Sequence, residues 1–480
     1  MFERSTRKQY EATLAVNILS LCIGASISWT SPYLSTLQSK NSPFGSPVTS
    51  TEASWIGGLL AIGALIGSFF FGWLSEKLGR FWSLMSVAFP QTLWWLSVIF
   101  SPTINFLFLG RFLAGFSSGG CFVLVPLYVS EISQDHVRGS LGSFFLLSTN
   151  FGMLIIYLCG LVFDYYTTPK VMLGMIFAFV ILFSFFNETP IYLLRKGKTE
   201  AAVKFLNTLR GINNLETISD EVNIELEKMI SKVHNDVISR SDSIMNEFRS
   251  SPAAGKGILI GAILMTVNQL SGLFAFLNYT ADIFIEAGSS FTPNISAVIV
   301  GMLLMLGSLV SLKLVHNYSR KSLYVVTTIG YVFGLLLMGI YSYYKINQDV
   351  SDLKFIPVAS LSLIIFTASV GRLPLSYIMM AEIIPQNVRS FGISICTTIN
   401  WIWAFILLRF FSTAVNILSF HNCMFICASF AIFGVFFVIV YVPESKDKSY
   451  QEIEDSLNGR IKLSEKHGED VKIEEEIARL

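Results

Sequence analysis

The feature that most constrains this chain is a series of apolar stretches that recurs from one end of the sequence to the other. About 20 apolar residues suffice to cross the hydrocarbon core of a bilayer as a helix. Because lipid offers the backbone no hydrogen-bond partner, each stretch is predicted to be helical. The twelve predicted spans lie near residues 12–33, 54–74, 82–101, 104–127, 140–163, 170–187, 256–278, 294–315, 322–343, 355–380, 391–415 and 421–442.

The composition agrees with a chain that lies mostly in lipid. Of 480 residues, 52% are hydrophobic and only 14% are charged, whereas soluble proteins carry about 25% charged residues. A net charge of +1 without a basic face argues against a nucleic-acid partner. All six cysteines fall in apolar runs, which predicts free buried thiols. The apolar stretch after the N-terminal tail is too long for a signal-peptide core, so we interpret it as the first span.

The sequence gives no sign of a catalytic, metal or nucleotide site. No His/Cys cluster has the spacing of metal ligands, and no serine–histidine arrangement suggests a hydrolase. Gly197-Lys198-Thr199 imitates the end of a phosphate-binding loop, but Tyr192 stands where that loop requires a glycine. We therefore predict neither an enzyme nor a cofactor.

Polar segments divide the chain into four parts. Residues 1–194 and 253–443 each hold six predicted spans, and residues 444–480 form a charged tail. Residues 195–252 mix charges of both signs with leucines and isoleucines at helical spacing, which predicts amphipathic helices against the membrane or under the bundle. Positive residues stay on the cytoplasmic side, and most cations of the connections fall on the side of the termini. The linker 195–252, the tail and both termini are therefore predicted to be cytoplasmic.

The two six-span parts resemble each other at an offset of about 250 residues. The segment from Glu131 to Arg138 matches the segment from Glu382 to Arg389 at the same Glu-to-Arg spacing. Two further pairs of short motifs match in the same way: Gly79-Arg80 with Ser319-Arg320, and Glu188-Thr189 with Glu444-Ser445. A repeat of this kind predicts a site near the middle of the membrane, between the halves, that opens alternately to either side.

These motifs resemble those of the sugar porters, a family of the major facilitator superfamily, over nearly the whole chain. The residues that carry the resemblance are Gly72 to Arg80, Gly110 to Gly115, Val125 to Glu131, Arg138-Gly139, Glu188 to Pro190, Gln269 to Gly272, Asn400-Trp401 and Pro443 to Ser445. Within the family, Thr30 to Pro32, Glu76 and Asn150 to Gly152 are most similar to insect facilitated trehalose transporters. The resemblance implies an all-α integral membrane fold with twelve transmembrane helices in two parallel-related halves and a cytoplasmic helical insert.

The resemblance also implies that charged residues at the cytoplasmic helix ends form a conformational latch. Ion pairs among them would hold the cytoplasmic side closed and would break when that side opens. The residues concerned are Glu76, Arg80, Glu131, Arg138 and Glu188 in the first half, and Arg320, Glu382, Arg389 and Glu444 in the second. The alternative is that they only anchor helix ends at the lipid headgroups.

Two amides are candidates for sugar contacts. Gln269 and Asn400 each fall within a long apolar stretch, where an amide needs a partner in a cavity or on a neighbouring helix. The resemblance implies that both bind a sugar, with Asn268 in place of a first glutamine and Trp401 as an aromatic platform. Tyr377 and Arg372 of span ten are further candidates; Arg372 should face the cavity or pair with a polar group, unless it snorkels.

Several positions depart from the family pattern. Leu146, Phe274 and Leu304 stand where the family has polar residues, and the span-ten motif reads Leu373 to Tyr377 without its tryptophan. The cavity is therefore predicted to be more apolar than a typical hexose site. Arg409 and Lys313 lie nearer to helix ends and are predicted to snorkel.

Span one carries no acidic residue between Ala12 and Tyr33. Proton-coupled members of the family commonly hold a carboxylate there, close to the arginine that matches Arg111. Its absence favours uncoupled transport, with Arg111 as a functional residue or, equally, as a helix-end anchor.

The sequence thus predicts a facilitative transporter of trehalose or a hexose. We expect a monomer in the plasma membrane, with a glycan on Asn294 in the sequence Asn-Ile-Ser. The alternatives are a transporter-like sugar sensor and a proton-coupled sugar symporter.

Overall fold

A computed structural model describes residues 4–40, 42–211, 220–239, 252–288, 292–348, 351–385, 388–446, 448 and 450–458. The regular structure of these residues is helical. Spans one to six comprise Arg4–Ser28 with Thr30–Leu37, Ser50–Leu78, Arg80–Phe100, Ile104–Ile132, Asp135–Val162 and Thr167–Phe183. Spans seven to twelve comprise Pro252–Leu270 with Leu273–Asn278 and Thr280–Ala287, Pro293–Asn317, Arg320–Asn347, Ile356–Thr367 with Ala368–Arg372 and Leu373–Ile383, Arg389–Leu418, and Phe420–Tyr441.

The prediction of twelve membrane helices is confirmed. Eleven helices in the described part of the chain are long and apolar enough to cross a bilayer. Span six is an apolar helix of 17 residues, about 26 Å at 1.5 Å per residue. The prediction of free, buried cysteines is confirmed for all six.

Three spans that the sequence predicts as regular helices are interrupted or distorted. Span one breaks at Trp29, because Pro32 has no N–H for the carbonyl of Ser28. Span seven breaks at Gly272, whose φ of +90° is the left-handed conformation that glycine tolerates. Span ten widens into a π-helix over Ala368–Arg372, directly before Pro374, which cannot donate to the carbonyl of Val370.

Spans two and four are in backbone contact through glycines. A Cβ built on Gly63 or Gly67 would lie 2.1 or 2.0 Å from a carbonyl oxygen of span four. A Cβ on Gly115 or Gly119 would lie 1.9 or 2.0 Å from a carbonyl oxygen of span two. Small residues let membrane helices approach in this way. Neither span two nor span four therefore tolerates a larger residue at these glycine positions.

The first six spans meet the last six along two helix pairs, span two with eleven and span five with eight. Asn150 of span five donates to Ser308 of span eight (2.6 Å). We call the end of the bundle with Arg80, Glu131 and Glu188 the motif end. At the opposite end, Thr30 of span one donates to the carbonyl of Asn278 (3.1 Å), and several further contacts join the same two groups of spans there.

In its described part, the segment between spans six and seven forms the helices Pro190–Arg195, Thr199–Leu209 and Asp220–Ser239. Leu206, Val222 and Leu226 pack together in a small apolar cluster. The Arg210 side chain pairs with Glu225 and also donates to the carbonyl of Ile132 in span four (3.2 Å). These contacts dock the predicted linker on the motif end. Residues 212–219, 240–251 and 459–480 lie outside the described residues.

Candidate functional site

Amides from spans seven and eleven meet inside the bundle. Gln269 Nε2 donates to Asn400 Oδ1 at 3.1 Å, and the two side chains are 5% and 2% exposed. Tyr377 of span ten lies close to the Asn400 side chain. The structure thus brings together three candidates, two of which stand more than a hundred positions from Gln269 in the sequence.

Trp401 connects this amide cluster to the first six spans. Its ring makes edge contacts with Phe122 of span four (centroids 5.7 Å apart) and with Phe274 of span seven (6.1 Å). Phe122 in turn contacts Phe145 of span five (5.0 Å). Phe122 was not a candidate, because an aromatic residue in an apolar helix carries no sequence signal for a site. Phe274, one of the departures from the family pattern, places an apolar ring against Trp401; that the cavity is more apolar than a hexose site stays a prediction.

Two polar atoms beside the cluster lack a partner. Asn268 Oδ1 and Trp401 Nε1 are buried, and neither has a hydrogen bond to the described residues. A buried polar group without a partner costs about 1–3 kcal/mol. These two atoms therefore keep unused hydrogen-bonding capacity among the described residues.

The sequence predicted Gln269 in the middle of a helix, but the structure places it near a helix end. It is the penultimate residue of Pro252–Leu270, directly before the break at Gly272. Asn400, in contrast, lies in the interior of the unbroken helix Arg389–Leu418, as predicted. At this position the Gln269 carbonyl accepts from the Gly272 N–H (2.9 Å), while its side chain bonds Asn400.

Arg372 of span ten donates hydrogen bonds to residues just before the same break in span seven. Its Nη2 donates to the Val267 carbonyl (3.1 Å) and to Ser271 Oγ (2.6 Å). Its guanidinium lies 4.4 Å from the ring centre of Tyr331, whose hydroxyl donates to the Ser271 carbonyl (2.7 Å). Arg372 is fully buried, so it pairs locally and does not snorkel. Its Nε and Nη1 have no partner among the described residues.

Arg111 has a parallel position in the first six spans. Its Nη1 donates to the carbonyl of Ser26 (2.7 Å), just before the break at Trp29, and its Nε to the carbonyl of Ile56 (2.9 Å). The rings of Trp29 and Trp94 flank the guanidinium. Because Arg111 is fully buried, the helix-end anchor interpretation is wrong. The two groups of six spans thus share an arrangement. In each, a buried arginine on the fourth span bonds the first span next to its break.

The first charged network of the motif end centres on Arg80. Its Nε and Nη2 both lie 3.0 Å from Glu131 Oε1, and Nη2 also pairs with Glu76 (3.2 Å). The Thr189 hydroxyl donates to the other oxygen of Glu131. Glu188 accepts from the backbone N–H groups of Arg80 and its neighbour at the start of span three.

The second network repeats this arrangement on Arg320. Arg320 Nη2 pairs with Glu382 Oε1 at 3.5 Å, and the Ser445 hydroxyl donates to Glu382 Oε2 (2.6 Å). Glu444 accepts from the backbone N–H groups of Arg320 (2.9 Å) and Lys321 (3.2 Å) at the start of span nine. The ion pairs of each network therefore join residues of the same six spans.

The two remaining latch candidates cap helix ends. Arg138 donates to the Ser133 carbonyl (3.2 Å), and Arg389 donates to the Ile384 carbonyl (3.3 Å).

Burial raises the pKa of Glu188, although backbone N–H groups oppose this. At Glu444 burial also acts to raise the pKa, but the N–H donors from Lys446, Arg320 and Lys321 outweigh it, and the pKa is lowered.

Arg409 and Asn294 bind across the boundary between the two groups of spans. Arg409 Nη1 donates to Ser54 Oγ of span two (2.9 Å), and the guanidinium lies over the ring of Trp55. The snorkelling of Arg409 stays a prediction. Asn294 Nδ2 donates to the Gly160 carbonyl of span five (3.0 Å); its glycosylation stays a prediction.

Comparison with known proteins decides the family. The model of the family described as "Sugar (and other) transporter" matches residues 12–457. This chain belongs to that family. As a member of a transporter family it is a multi-pass membrane protein and not an enzyme.

Several curated relatives of this chain are insect proteins. The facilitated trehalose transporter Tret1 of Culex quinquefasciatus is 32% identical over 464 residues, which cover 96% of this chain and 87% of the relative. The protein of the same name from Aedes aegypti is 31% identical over 95% of this chain, but only 56% of its own length is matched. The chain thus spans about half the length of several curated relatives.

Solved structures of sugar transporters share the fold. The inward open conformation of the xylose transporter XylE from E. coli superposes with a TM-score of 0.74 at 18% identity, covering 93% of this chain and 99% of the other. A second structure of XylE, described as a major facilitator superfamily proton:xylose symporter, also gives 0.74, at 19% identity. The likeness confirms the major facilitator fold that the sequence predicts.

Proposed function

We propose that this transporter carries a sugar, trehalose or a hexose, down its gradient by alternating access. The observation that carries the proposal is the cluster of Gln269, Asn400 and Tyr377 beside Trp401, between the two groups of spans. Amides and hydroxyls bond sugar hydroxyls, and an aromatic face covers the apolar face of a sugar ring. The insect relatives named as facilitated trehalose transporters support trehalose as the first substrate to test.

Uncoupled transport follows from span one. A carboxylate that takes up and releases a proton is the usual device of coupling within a membrane, and the part of span one from Ala12 to Tyr33 has none. Arg111, the neighbouring cation, binds the carbonyls of Ser26 and Ile56 and two indole rings. These partners do not titrate, so we infer that proton movement is not tied to the cycle at this position.

The first prediction concerns coupling. Purified protein in proteoliposomes should equilibrate radiolabelled trehalose, glucose, fructose or a polyol to the external concentration, with saturable rates. A pH gradient should not change the final level, because no proton moves with the sugar. Accumulation above the external concentration that a protonophore abolishes would show a proton-coupled symporter. Saturable binding without any uptake would instead favour a sugar sensor, which the lost polar residues at Leu146, Phe274 and Leu304 make the main alternative.

The second prediction concerns the sugar contacts. One net hydrogen bond contributes about 0.5–1.5 kcal/mol, so Gln269→Ala or Asn400→Ala should weaken sugar binding by roughly three- to tenfold. Ser429→Ala is the matched control, because Ser429 is exposed on span twelve and bonds only within its own helix. Surface expression is measured in parallel, since the lost Gln269–Asn400 bond also affects folding. Wild-type affinity in both variants would show that neither amide contacts the sugar, and Arg372 and Tyr377 would then be the candidates to test.

The third prediction concerns the latch. We propose that Glu131, Glu382 and their partners reorganise between states, because the same carboxylate joins an arginine and a hydroxyl in both networks. Glu382→Ala or Arg389→Ala should therefore slow uptake at least several-fold while sugar affinity changes by less than twofold. Lys448→Ala, at an exposed position of the same end, is the control. Unchanged uptake in both variants would leave these residues as helix anchors.

The membrane arrangement is part of the proposal. We infer that residues 1–194 and 253–443 move as two halves, with the linker 195–252 and both termini in the cytoplasm. The excess of cations at the motif end supports this orientation. We further infer a monomer in the plasma membrane with its sugar site between the halves.

A further inference from the structure

A cleft of about 350 Å³ lies at the end opposite the motif end. Its walls come from the outer helix of span one, the end of span five, the connection to span six and the first turn of span eight. None of the sugar candidates of the central cluster lines it. It is therefore a separate feature of the molecule that the proposed transport mechanism does not use.

Both groups of six spans build this cleft. Asn294 of span eight lines it and donates to the Gly160 carbonyl of span five (3.0 Å). Gly160 also lets span five approach span one, since a Cβ there would lie 2.2 Å from Pro32 Cβ. The cleft is thus complete only while this end of the transporter is closed.

The cleft combines aromatic rings with polar groups. Edge contacts join Tyr165 to Tyr33 and to Tyr166, with centroids 5.9 and 5.2 Å apart. Tyr166 is 43% exposed, whereas Tyr33 and Tyr165 are buried. The Asp164 carboxylate is exposed and accepts from the backbone N–H of Thr167 (3.2 Å). The hydrogen bond from the Thr167 side chain lowers the pKa of Asp164, so this carboxylate is ionised at neutral pH.

This set of groups fits a small polyhydroxylated molecule. A carboxylate accepts hydrogen bonds from two neighbouring hydroxyls, the Asn294 amide oxygen accepts another, and an exposed tyrosine ring covers the apolar face of a sugar. The volume lies within the usual range of about 300–1,000 Å³ for small-molecule sites. A simple cation would satisfy Asp164 but would leave the amide and the hydroxyl of Ser35 unused.

We propose that this cleft is a second carbohydrate site, and that a mono- or disaccharide bound there bridges the two groups of spans and holds this end closed. A sugar at this site would act as an inhibitor from the side on which the cleft opens. Binding there stands independently of the proposed function, whereas inhibition rests on it. The two parts therefore need separate readouts.

Thiol protection in purified full-length protein tests the binding. The six native cysteines are buried, so a polar methanethiosulfonate reagent should label Ser35→Cys, at an exposed position of the cleft. Trehalose and glucose should slow this labelling with a saturable dependence on concentration. Ser46→Cys, in the exposed loop of the same end, is the control and should label at the same rate with and without sugar.

Two second-site variants locate the effect. Asp164→Asn keeps an oxygen that can accept from the Thr167 N–H but removes the charge, and it should raise the sugar concentration for half-protection about tenfold. Asn400→Ala should leave that concentration unchanged. Three results would overturn the second site. Sugar does not protect Ser35→Cys from labelling, the protection is unchanged by Asp164→Asn, or the protection is lost with Asn400→Ala.

Uptake measurements test the bridge. In proteoliposomes, uptake should fall at sugar concentrations that fill the cleft, and Asp164→Asn should relieve this inhibition. Uptake that stays saturated at those concentrations would overturn the bridging role while leaving the binding result intact. Failure of all uptake, with protection of Ser35→Cys retained, would reject the proposed transport and support the cleft as a carbohydrate site.

Discussion

Arg372→Met is expected to reduce transport more than a hundredfold. The substitution removes two hydrogen bonds from a buried cation, to the Val267 carbonyl and to Ser271 Oγ, each worth about 1.5–3 kcal/mol. It also removes the stacking on Tyr331. Because these contacts fix the break in span seven next to Gln269, their loss should displace the amide and collapse sugar affinity together with the rate.

Matched variants separate this effect from a general loss of charge. Lys313→Met removes an exposed cation of span eight and should transport normally. Arg372→Lys keeps the charge but has no planar fork to reach both acceptors at once, so it should recover only part of the activity. Uptake, sugar binding and chromatographic behaviour are measured for each variant. Near-normal uptake by well-folded Arg372→Met would show that the arginine does not shape the site.

Gly115→Val is expected to leave little folded protein. A Cβ at this position would lie 1.9 Å from the Leu60 carbonyl oxygen, and neither backbone can move without separating spans two and four. Overpacking of a close-packed core costs about 1–3 kcal/mol and sometimes more, and here the obstacle is backbone. We expect loss of the monodisperse peak in size-exclusion chromatography and a strong fall in surface expression.

The control for this prediction lies on the same pair of spans. Gly72 of span two has no neighbouring atom within 4 Å of a built Cβ, so Gly72→Val should fold and transport. Gly67→Val, on the opposite side of the interface, should fail like Gly115→Val because its Cβ would lie 2.0 Å from the Phe116 carbonyl oxygen. Equal behaviour of Gly72→Val and Gly115→Val would show that backbone contact does not hold these spans together.

The sequence repeat alone predicts much of the two charged networks. Because Glu131 and Glu382 recur at the same distance from an arginine, the repeat alone identifies the charged residues of both networks. The structure adds that Thr189 and Ser445 each hold the second carboxylate oxygen. Both hydroxyls stand directly after the matched glutamates Glu188 and Glu444, so the same repeat contained this information.

The substrate candidates were predicted less completely. Gln269, Asn400 and Trp401 were identified by their motifs, and the structure brings them together. Phe122, whose ring contacts Trp401, was not among them, and Gln269 was placed in the wrong part of its helix. A ring in an apolar stretch has the same composition whether it faces lipid, a neighbouring helix or a cavity, so only its rotation about the helix axis reveals its role.

The sequence by itself determined the twelve helices and their order, because the need to satisfy every backbone group in lipid acts on each apolar stretch separately. It also determined the repeat, since matched motifs need no knowledge of contacts. Only the tertiary structure decided what Arg111 and Arg372 bind, where spans one and seven break, and how Asn294 completes the cleft with Gly160. Those features depend on the relative rotation and register of helices that are distant in the chain, and side chains from both helices set them together.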